Sequence, residues 1–520
     1  MSEQTQQSWL ETLTQFGKPQ VLTMLFLGFS AGLPLALIFS SLSLWLSEAG
    51  IEKSTVTFFS WGALAYSFKF LWSPLVDRIP LPWLTKHLGR RRGWLLLSQV
   101  LVLAAIALMG SFDPQQGSSA LISLALATAF LGFSSATQDV IIDAYRIEIA
   151  DVKIQALLSS TYIAGYRGGM LLSGAGALIL AQHLGSSGES YYYQAWQWTY
   201  YFMSLMMLVG IVTTLLVKEP NLTCKDEFEF SQGAYLRFFF QFLSCAAIFA
   251  LFCYSTVDEF GQLKALLNEW SGNQALAGTI TEFARIPSAA ISVAVFALLL
   301  DKLGWIERDL VKQSFWNPVA DFFRRYGRSL ALMLLLFIGL YRISDIVLGV
   351  IANVFYYDMG FSKQEIAEVS KTFGLIMMIL GGFLGGLLSI RMGVLRTLML
   401  GAILTVTTNL MFVTLALNGY DMTLFYIVIS ADNLTAGLAS AAFVAFLASI
   451  TNISFTAVQY ALFSSLMSLL PKIIGGYSGA MVTNVGYPSF FVIASAMGVP
   501  VIILIVLLQK RLQLHDAEKA

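Results

Sequence analysis

The sequence predicts an all-α membrane protein made of two pseudo-symmetric six-helix bundles, with two additional transmembrane helices between them. Three observations predict it: a shortage of charge, the recurrence of long apolar runs, and a partial repeat of the first half of the chain in the second. The chain has 520 residues, 57% of them hydrophobic and only 12% charged, with a mean hydropathy of +0.71. Soluble domains carry about 25% charged residues. Apolar runs recur from Val21 to Leu508, many of them as long as the ~20 residues a helix needs to cross ~30 Å of hydrocarbon. They do not alternate as barrel strands do.

Taken in order, six spans come first, over 21–46, 55–76, 94–112, 119–144, 154–183 and 196–217. Two follow at 235–256 and 276–300, and six close the chain at 329–357, 364–390, 394–417, 423–450, 454–482 and 485–509. This divides the chain into an N-terminal bundle (1–218), a junction with two additional helices and a polar segment (219–328), and a C-terminal bundle (329–520). Within the junction, Asp301 to Arg328 mixes charge with Leu310, Trp316 and Phe322, which suits either an amphipathic helix on a leaflet or a connecting loop.

Basic residues cluster in alternate turns. Arg78, Lys86, Arg90, Arg91 and Arg92 follow the second span, Arg391 and Arg396 precede the eleventh, and Lys510 and Arg511 lie in the tail. By the positive-inside rule both termini are expected in the cytoplasm. The polar first twenty residues lack an apolar run with a small-residue cleavage site, so a cleaved signal peptide is not expected. Three cysteines without a C-x-x-C pair and three scattered histidines argue against a disulfide framework or a metal site. A net charge of zero gives no sign of a nucleic-acid partner.

The repeat is an ordered series. Leu25-Phe-Leu-Gly-Phe29 returns as Leu336-Phe-Ile-Gly-Leu340, and Gly50-Ile-Glu-Lys53 as Gly360-Phe-Ser-Lys363. Gly89-Arg-Arg-Arg92 returns as Gly393-Val-Leu-Arg396, and Ala156-Leu-Leu-Ser-Ser160 as Ala461-Leu-Phe-Ser-Ser465. Arg167 meets Lys472, with all offsets between 304 and 311 residues. Two related six-helix halves are the major-facilitator architecture, whose substrate site lies near the midplane between halves. Gly165-x-x-x-Gly169, Gly381-x-x-x-Gly385, Gly382-x-x-x-Gly386 and Gly475-x-x-x-Gly479 lie inside spans. They suit close helix contacts, either static or sliding.

Charges inside spans are the candidate functional residues, because an ionisable group in hydrocarbon costs several kcal/mol unless it faces a cavity or a partner. Lys69, Arg167, Arg342 and Lys472 lie deep in their spans. Gln138, Tyr162, Tyr166, Asn433, Gln459 and Tyr460 add hydrogen-bonding and aromatic surface, and with the cations form the expected substrate-binding set. Asp139, Asp143, Asp345 and Asp432 are the expected proton carriers. Asp77, Arg78, Arg92, Arg146 and Arg396 are expected to serve the cytoplasmic loops and gate. Asp143 with Arg146, and Arg342 with Asp345, could instead be structural pairs, each three residues apart on one helix face. Lys69, Arg167 and Lys472 have no acidic neighbour in sequence. A cationic cavity suits a ligand with carboxylates.

Several strings carry a narrower resemblance. Lys69-Phe-Leu-Trp-Ser-Pro-Leu-Val-Asp-Arg78 resembles the second-helix signature shared by the AmpG permeases and the acetyl-CoA transporters. Asn317-Pro-Val-Ala-Asp321, Leu340-Tyr-Arg-Ile-Ser-Asp345, Asp432-Asn-Leu-Thr435 and Phe455-Thr-Ala-Val-Gln-Tyr-Ala-Leu462 resemble the AmpG family itself, as do Gln138-Asp139 and Gly165-Tyr-Arg167. Pro471-Lys472-Ile-Ile-Gly-Gly476 departs from the pattern of some relatives, which bears on Lys472 as a ligand contact. The resemblance implies a secondary transporter in the inner membrane of a Gram-negative bacterium. It would import N-acetylglucosaminyl-1,6-anhydro-N-acetylmuramyl peptides on the proton gradient, without a cofactor, in a pathway tied to β-lactamase induction. A monomer in the lipid bilayer is the expectation. An acetyl-CoA-like or other organic-anion carrier is the alternative on the same scaffold. A receptor would need a substantial soluble sensing domain, and Ser-Gly words such as Tyr477-Ser-Gly-Ala480 lack the G-x-S-x-G elbow that an enzyme would need.

Overall fold

The structure, a computed structural model, describes residues 17–51, 59, 65–151, 154–186, 190–220, 230–272, 274–475 and 478–519. Among the described residues, twelve helices are long and apolar enough to cross a bilayer. Two of the fourteen expected spans are not among those twelve. Part of the second, 55–76, lies outside the described residues, which include only 59 and 65–76 of it. The eighth, 276–300, lies within the helix Gln274–Lys302.

The N-terminal helices are α1 (Pro19–Glu48), α2 (Ser73–Arg78, preceded by a turn at Lys69–Leu71), α3 (Arg90–Gly110), α4 (Ser118–Glu148), α5 (Gln155–His183) and α6 (Tyr193–Leu216). Then come α7 (Gln232–Ser255), α8 (Val257–Ser271) and α9 (Gln274–Lys302). The rest are α10 (Asn317–Leu340), α11 (Ile343–Asp358), α12 (Gln364–Met392), α13 (Val394–Asn418), α14 (Met422–Ile450), α15 (Thr456–Gly475), α16 (Ser478–Ala496) and α17 (Val499–Lys519).

The chain divides into two compact units. The first holds residues 1–76, 80–223 and 322–520, so the two six-helix halves belong to one unit; the second holds 77–79 and 224–321. In the second unit α7 runs into α8 with only Thr256 between them, and Gly272 reverses the chain at φ +62°. Helix α9 then packs back along both. Arg285 donates to the Cys253 carbonyl at 2.6 Å. Residues expected as a loop after the seventh span therefore continue the helix. The polar segment that follows α9 is helical from Arg308 onward, to a break at Gly327 (φ +69°).

Within the first unit, glycines bring backbones together. A Cβ on Gly28 or Gly32 would meet the Tyr162 or Tyr166 carbonyl oxygen at 2.2 or 2.0 Å. One on Gly165 or Gly169 would meet the carbonyl of Leu25 or Phe29 at 1.9 or 2.1 Å. Helices α1 and α5 therefore interlock through two small-xxx-small motifs. In the C-terminal half Gly381 and Gly437 join α12 to α14 in the same manner, each with a carbonyl oxygen within 2.0 Å of the absent Cβ.

Among the described residues, the buried apolar clusters that span both halves lie at one end. At the end bearing the basic turns, hereafter the basic end, Ala457 and Ala461 of α15 pack among Val140, Ile141 and Leu157 of the N-terminal half. Ile147 of α4 packs among Phe322, Phe446 and Tyr460 of the other half. Gly386 of α12 lies against Ala156, Leu157 and Ser160 of α5. At the opposite end each half has its own core, around Trp45, Trp196 and Tyr200 in one and Phe355, Phe412 and Phe491 in the other.

Candidate substrate cavity

Away from that seam, the halves border a cavity of about 260 Å³. Helix α5 contributes Arg167, α11 contributes Asp345 and Asn353, and α12 contributes Ser370 and Lys371. Helix α14 adds Asp432 and Asn433. The elements that carry these groups are irregular there. The α10–α11 span breaks at Tyr341-Arg342, leaving Arg342 at the N-terminus of α11 with φ −101° and ψ 11°. Ser370 and Lys371 sit in a π-helical stretch, Ala367–Phe373, inside α12. Broken helices and π-bulges mark functional positions in membrane carriers more often than regular helix does.

The charges divide into paired and unpaired. Arg342 donates to Asp345 at 2.6 Å, with both side chains more than a quarter exposed, so this expected pair forms and still reaches the cavity edge. Arg167 has no carboxylate within 4.0 Å among the described residues, its nearest polar contact being Met170 Sδ at 3.9 Å. Lys371 and Asp432 likewise form no ion pair among the described residues. Asn433 donates to the Ile429 carbonyl at 3.0 Å. Among the described residues the cavity is thus lined by two cations without an ion pair, from opposite halves, and one carboxylate without one.

A second polar cluster lies at the seam. Asp143 accepts from Lys69 at 3.4 Å and from Arg146 at 3.2 Å. Lys69, which has no acidic neighbour in sequence, thus has a partner 74 residues away. Arg146 also donates to Ser159 at 3.1 Å, and its guanidinium lies 5.2 Å from the Tyr460 ring and 6.0 Å from the Tyr162 ring. Tyr162 donates to Asp139 at 3.2 Å, and its ring lies 6.0 Å from that of Tyr166. Because Tyr460 belongs to α15 and Arg146 to α4, this cluster ties one half to the other.

Besides Lys69 and Tyr162 in that cluster, three of the expected ligand contacts are engaged away from the cavity. Gln138, fully buried, donates to Ser30 at 3.0 Å and joins α4 to α1. Gln459 accepts from Arg325 at 3.0 Å and from the Asn452 backbone at 2.8 Å, at the basic end. Tyr460, 3% exposed, is part of the seam. The Lys472 side chain lies outside the described residues. Lys371, Ser370 and Asn353 were not singled out from sequence. The charge of Lys371 within an apolar span was the available signal, but it lies only two turns in, where a lysine can reach an interface.

The expected gate residues lie at the basic end. Arg92 donates to the Thr214 and Leu215 carbonyls at 3.0 and 2.8 Å. The backbone N–H groups of Arg91 and Arg92 donate to Glu219 at 2.8 and 3.0 Å, so Glu219 caps α3. Gly89 makes room for it: φ is +91°, and a Cβ would lie 2.4 Å from the Glu219 carboxyl carbon. Burial pushes the Glu219 carboxyl above its ordinary range, against the two N–H bonds that lower it. Arg91 forms a buried bidentate pair with Glu148, with Nε to Oε2 at 2.8 Å. Asp77, buried, and Arg78 end α2, and Arg396 is exposed at the start of α13.

Residues 24–308, just over half of the chain, match the Major Facilitator Superfamily. The anhydromuropeptide permease of Escherichia coli K12 is 29% identical over 499 residues, covering 96% of this chain and 81% of that protein. The putative transporter AmpG 4 of Rickettsia felis is 29% identical over 485 residues, covering 93% and 95%. Among solved structures, the proton:xylose symporter XylE is 13% identical, with a TM-score of 0.56 over 93% of this chain and 94% of that one. A bacterial homologue of ferroportin in an outward-facing state is 12% identical, with a TM-score of 0.56 over 94% and 98%. These two likenesses speak to the fold. Repeat, helices and family match agree: the chain belongs to the Major Facilitator Superfamily, is similar over nearly its whole length to AmpG-type permeases, and is a multi-pass membrane transporter rather than an enzyme.

Proposed function

We propose that the chain imports anhydromuropeptides from periplasm to cytoplasm across a bacterial inner membrane, by alternating access coupled to protons. The observation that carries this reading is the cavity itself: Arg167 and Lys371 face it unpaired, from opposite halves, which suits an anionic ligand. The similarity to a named anhydromuropeptide permease over 96% of the chain supports the substrate class. A muropeptide joins sugar rings to a peptide with several carboxylates, and the cavity offers cations and amides.

The basic end is assigned to the cytoplasm by the positive-inside rule, which also places both termini there. With the seam at that end and separate cores at the other, the conformation is open outward. Asp139, Asp143, Asp345 and Asp432 are the candidate proton carriers. Asp139, hydrogen-bonded by Tyr162, and Asp143, shared by two cations, sit where proton uptake would loosen the seam. Such a link between protonation and opening is what coupling requires.

The test is uptake of labelled anhydromuropeptide into right-side-out vesicles, with and without an uncoupler. Accumulation that the uncoupler abolishes is the expected result. Uptake that the uncoupler leaves unchanged would remove proton coupling. Uptake of coenzyme A in place of muropeptide would support the organic-anion alternative.

A further inference from the structure

We infer that the polar junction after α9 is a membrane-surface element: its helix from Arg308 lies on the leaflet at the basic end and seats an exposed aromatic row among phospholipid headgroups. The sequence is compatible with a leaflet helix or with a connecting loop, and the geometry favours the first.

The helix is set off from the spans it joins. Gly304 stands at φ +70° before it and Gly327 at φ +69° after it, so the chain turns at both ends instead of prolonging either span. Its level follows from α7. Arg237 donates to Glu307 at 2.8 Å, and the rings of Phe238 and Phe315 lie 6.1 Å apart. Both α7 residues stand in the first two turns of an apolar helix, so the junction packs against the end of a span. At that level α7 turns Leu236 and Phe240 outward, each more than half exposed, as lipid-facing side chains are.

The junction continues that surface. Leu310 and Ser314 are buried and mark the side held by protein. Phe315, Trp316 and Val319, three and four residues apart, are exposed, with Trp316 at 67% and the preceding Trp305 at 63%. An indole has an apolar body and a polar N–H, which suits it to the headgroup level. Arg308 is matched by Asp301 at 2.7 Å, whereas the exposed Lys302 and Lys312 form no ion pair among the described residues. Lysine stems run along apolar surface and carry the ammonium to the polar boundary, where phosphates stand. Asp309 is exposed beside them, so the face suits the phosphate common to all phospholipids and not an anionic lipid alone. A water-facing loop would leave the row of rings uncovered, and continuity with the outward face of α7 makes lipid the occupant.

The test uses the intact chain, its three native cysteines replaced by serine, in nanodiscs of phosphatidylethanolamine and phosphatidylglycerol. A nitroxide label is attached in turn to Trp316→Cys, Val319→Cys and Asp309→Cys. Its relaxation is measured with oxygen, which concentrates in the bilayer, and with a nickel chelate, which stays in water. The expected ratio of oxygen to nickel effect is several-fold higher at 316 and 319 than at 309, and excess inorganic phosphate should leave it unchanged. Equal ratios at the three positions would overturn the inference in favour of a loop in water. Protection of 316 and 319 from both reagents would overturn it in favour of a protein partner, a second copy included. A ratio that falls with added phosphate would reduce the site to one for a free anion. Val319→Cys, the milder change, decides the matter where Trp316→Cys fails to fold.

Discussion

Asp143 holds two cations at once, and removing its charge leaves both without a counter-ion in a largely dry site. The three side chains are 13%, 8% and 1% exposed for Asp143, Lys69 and Arg146. Breaking a buried pair by removing one partner costs about 3–5 kcal/mol. Asp143→Asn should therefore lower the thermal midpoint in detergent sharply, and adding Lys69→Met should recover part of the loss; an unchanged midpoint would refute the pairing. Glu219 gives a pH-dependent case. Its folded carboxyl lies above its unfolded value of about 4.3, chiefly through burial. Its contribution is therefore full at low pH and is lost as pH rises through the folded value. The stability of Glu219→Gln relative to the parent should rise over that window, apart from a constant offset for the acceptor that is lost. A flat difference would contradict the buried-carboxyl account. Arg167 and Arg342 were legible as charges deep in oil. The Lys69–Asp143 pair was not, since it joins residues 74 positions apart that only helix packing brings together.

At the scale of the element, two interleaved glycine motifs on α12 do different jobs. Gly381 and Gly385 press on the Leu434 and Leu438 carbonyls within the C-terminal half, whereas Gly382 and Gly386 face α5 of the other half. The words were readable in sequence. Their division was not, because it depends on how α12 is rotated about its axis. Gly386→Leu should wedge the seam and favour the alternative opening, while Gly381→Leu should prevent folding, a Cβ there lying 1.9 Å from a carbonyl oxygen. The readout is the reactivity of Ser160→Cys toward a membrane-impermeant thiol reagent from the basic side, in a chain whose three native cysteines are serine. Gly386→Leu should raise it at least several-fold, in line with the ~1–3 kcal/mol typical of overpacking, and no change would sink the seam assignment. Helix breaks were equally hidden. Lys69, Arg342 and Lys371 each lie at or beside a departure from regular α-helix, which composition does not announce.

For the whole molecule, the repeat was the strongest sequence signal, and it carries into the packing. Ser41 donates to the Ser173 carbonyl at 2.6 Å, and Ser478, which stands 305 residues after Ser173 and so at the same offset as Ala461 from Ala156, donates to the Val347 carbonyl at 2.9 Å. Charge depletion and span length revealed the class, and the basic turns marked one end. Which end the halves close upon could not be read from either, because both openings use the same apolar faces. The central claim is that substrate enters between the halves and meets α5, α11, α12 and α14. The most direct test is photo-crosslinking with an anhydromuropeptide that bears a photoreactive group on its peptide end, followed by peptide mapping. Adducts concentrated near Arg167, Asn353, Lys371 and Asp432 are the predicted result. Adducts confined to residues 232–302, or spread evenly over the lipid-facing helices, would contradict it.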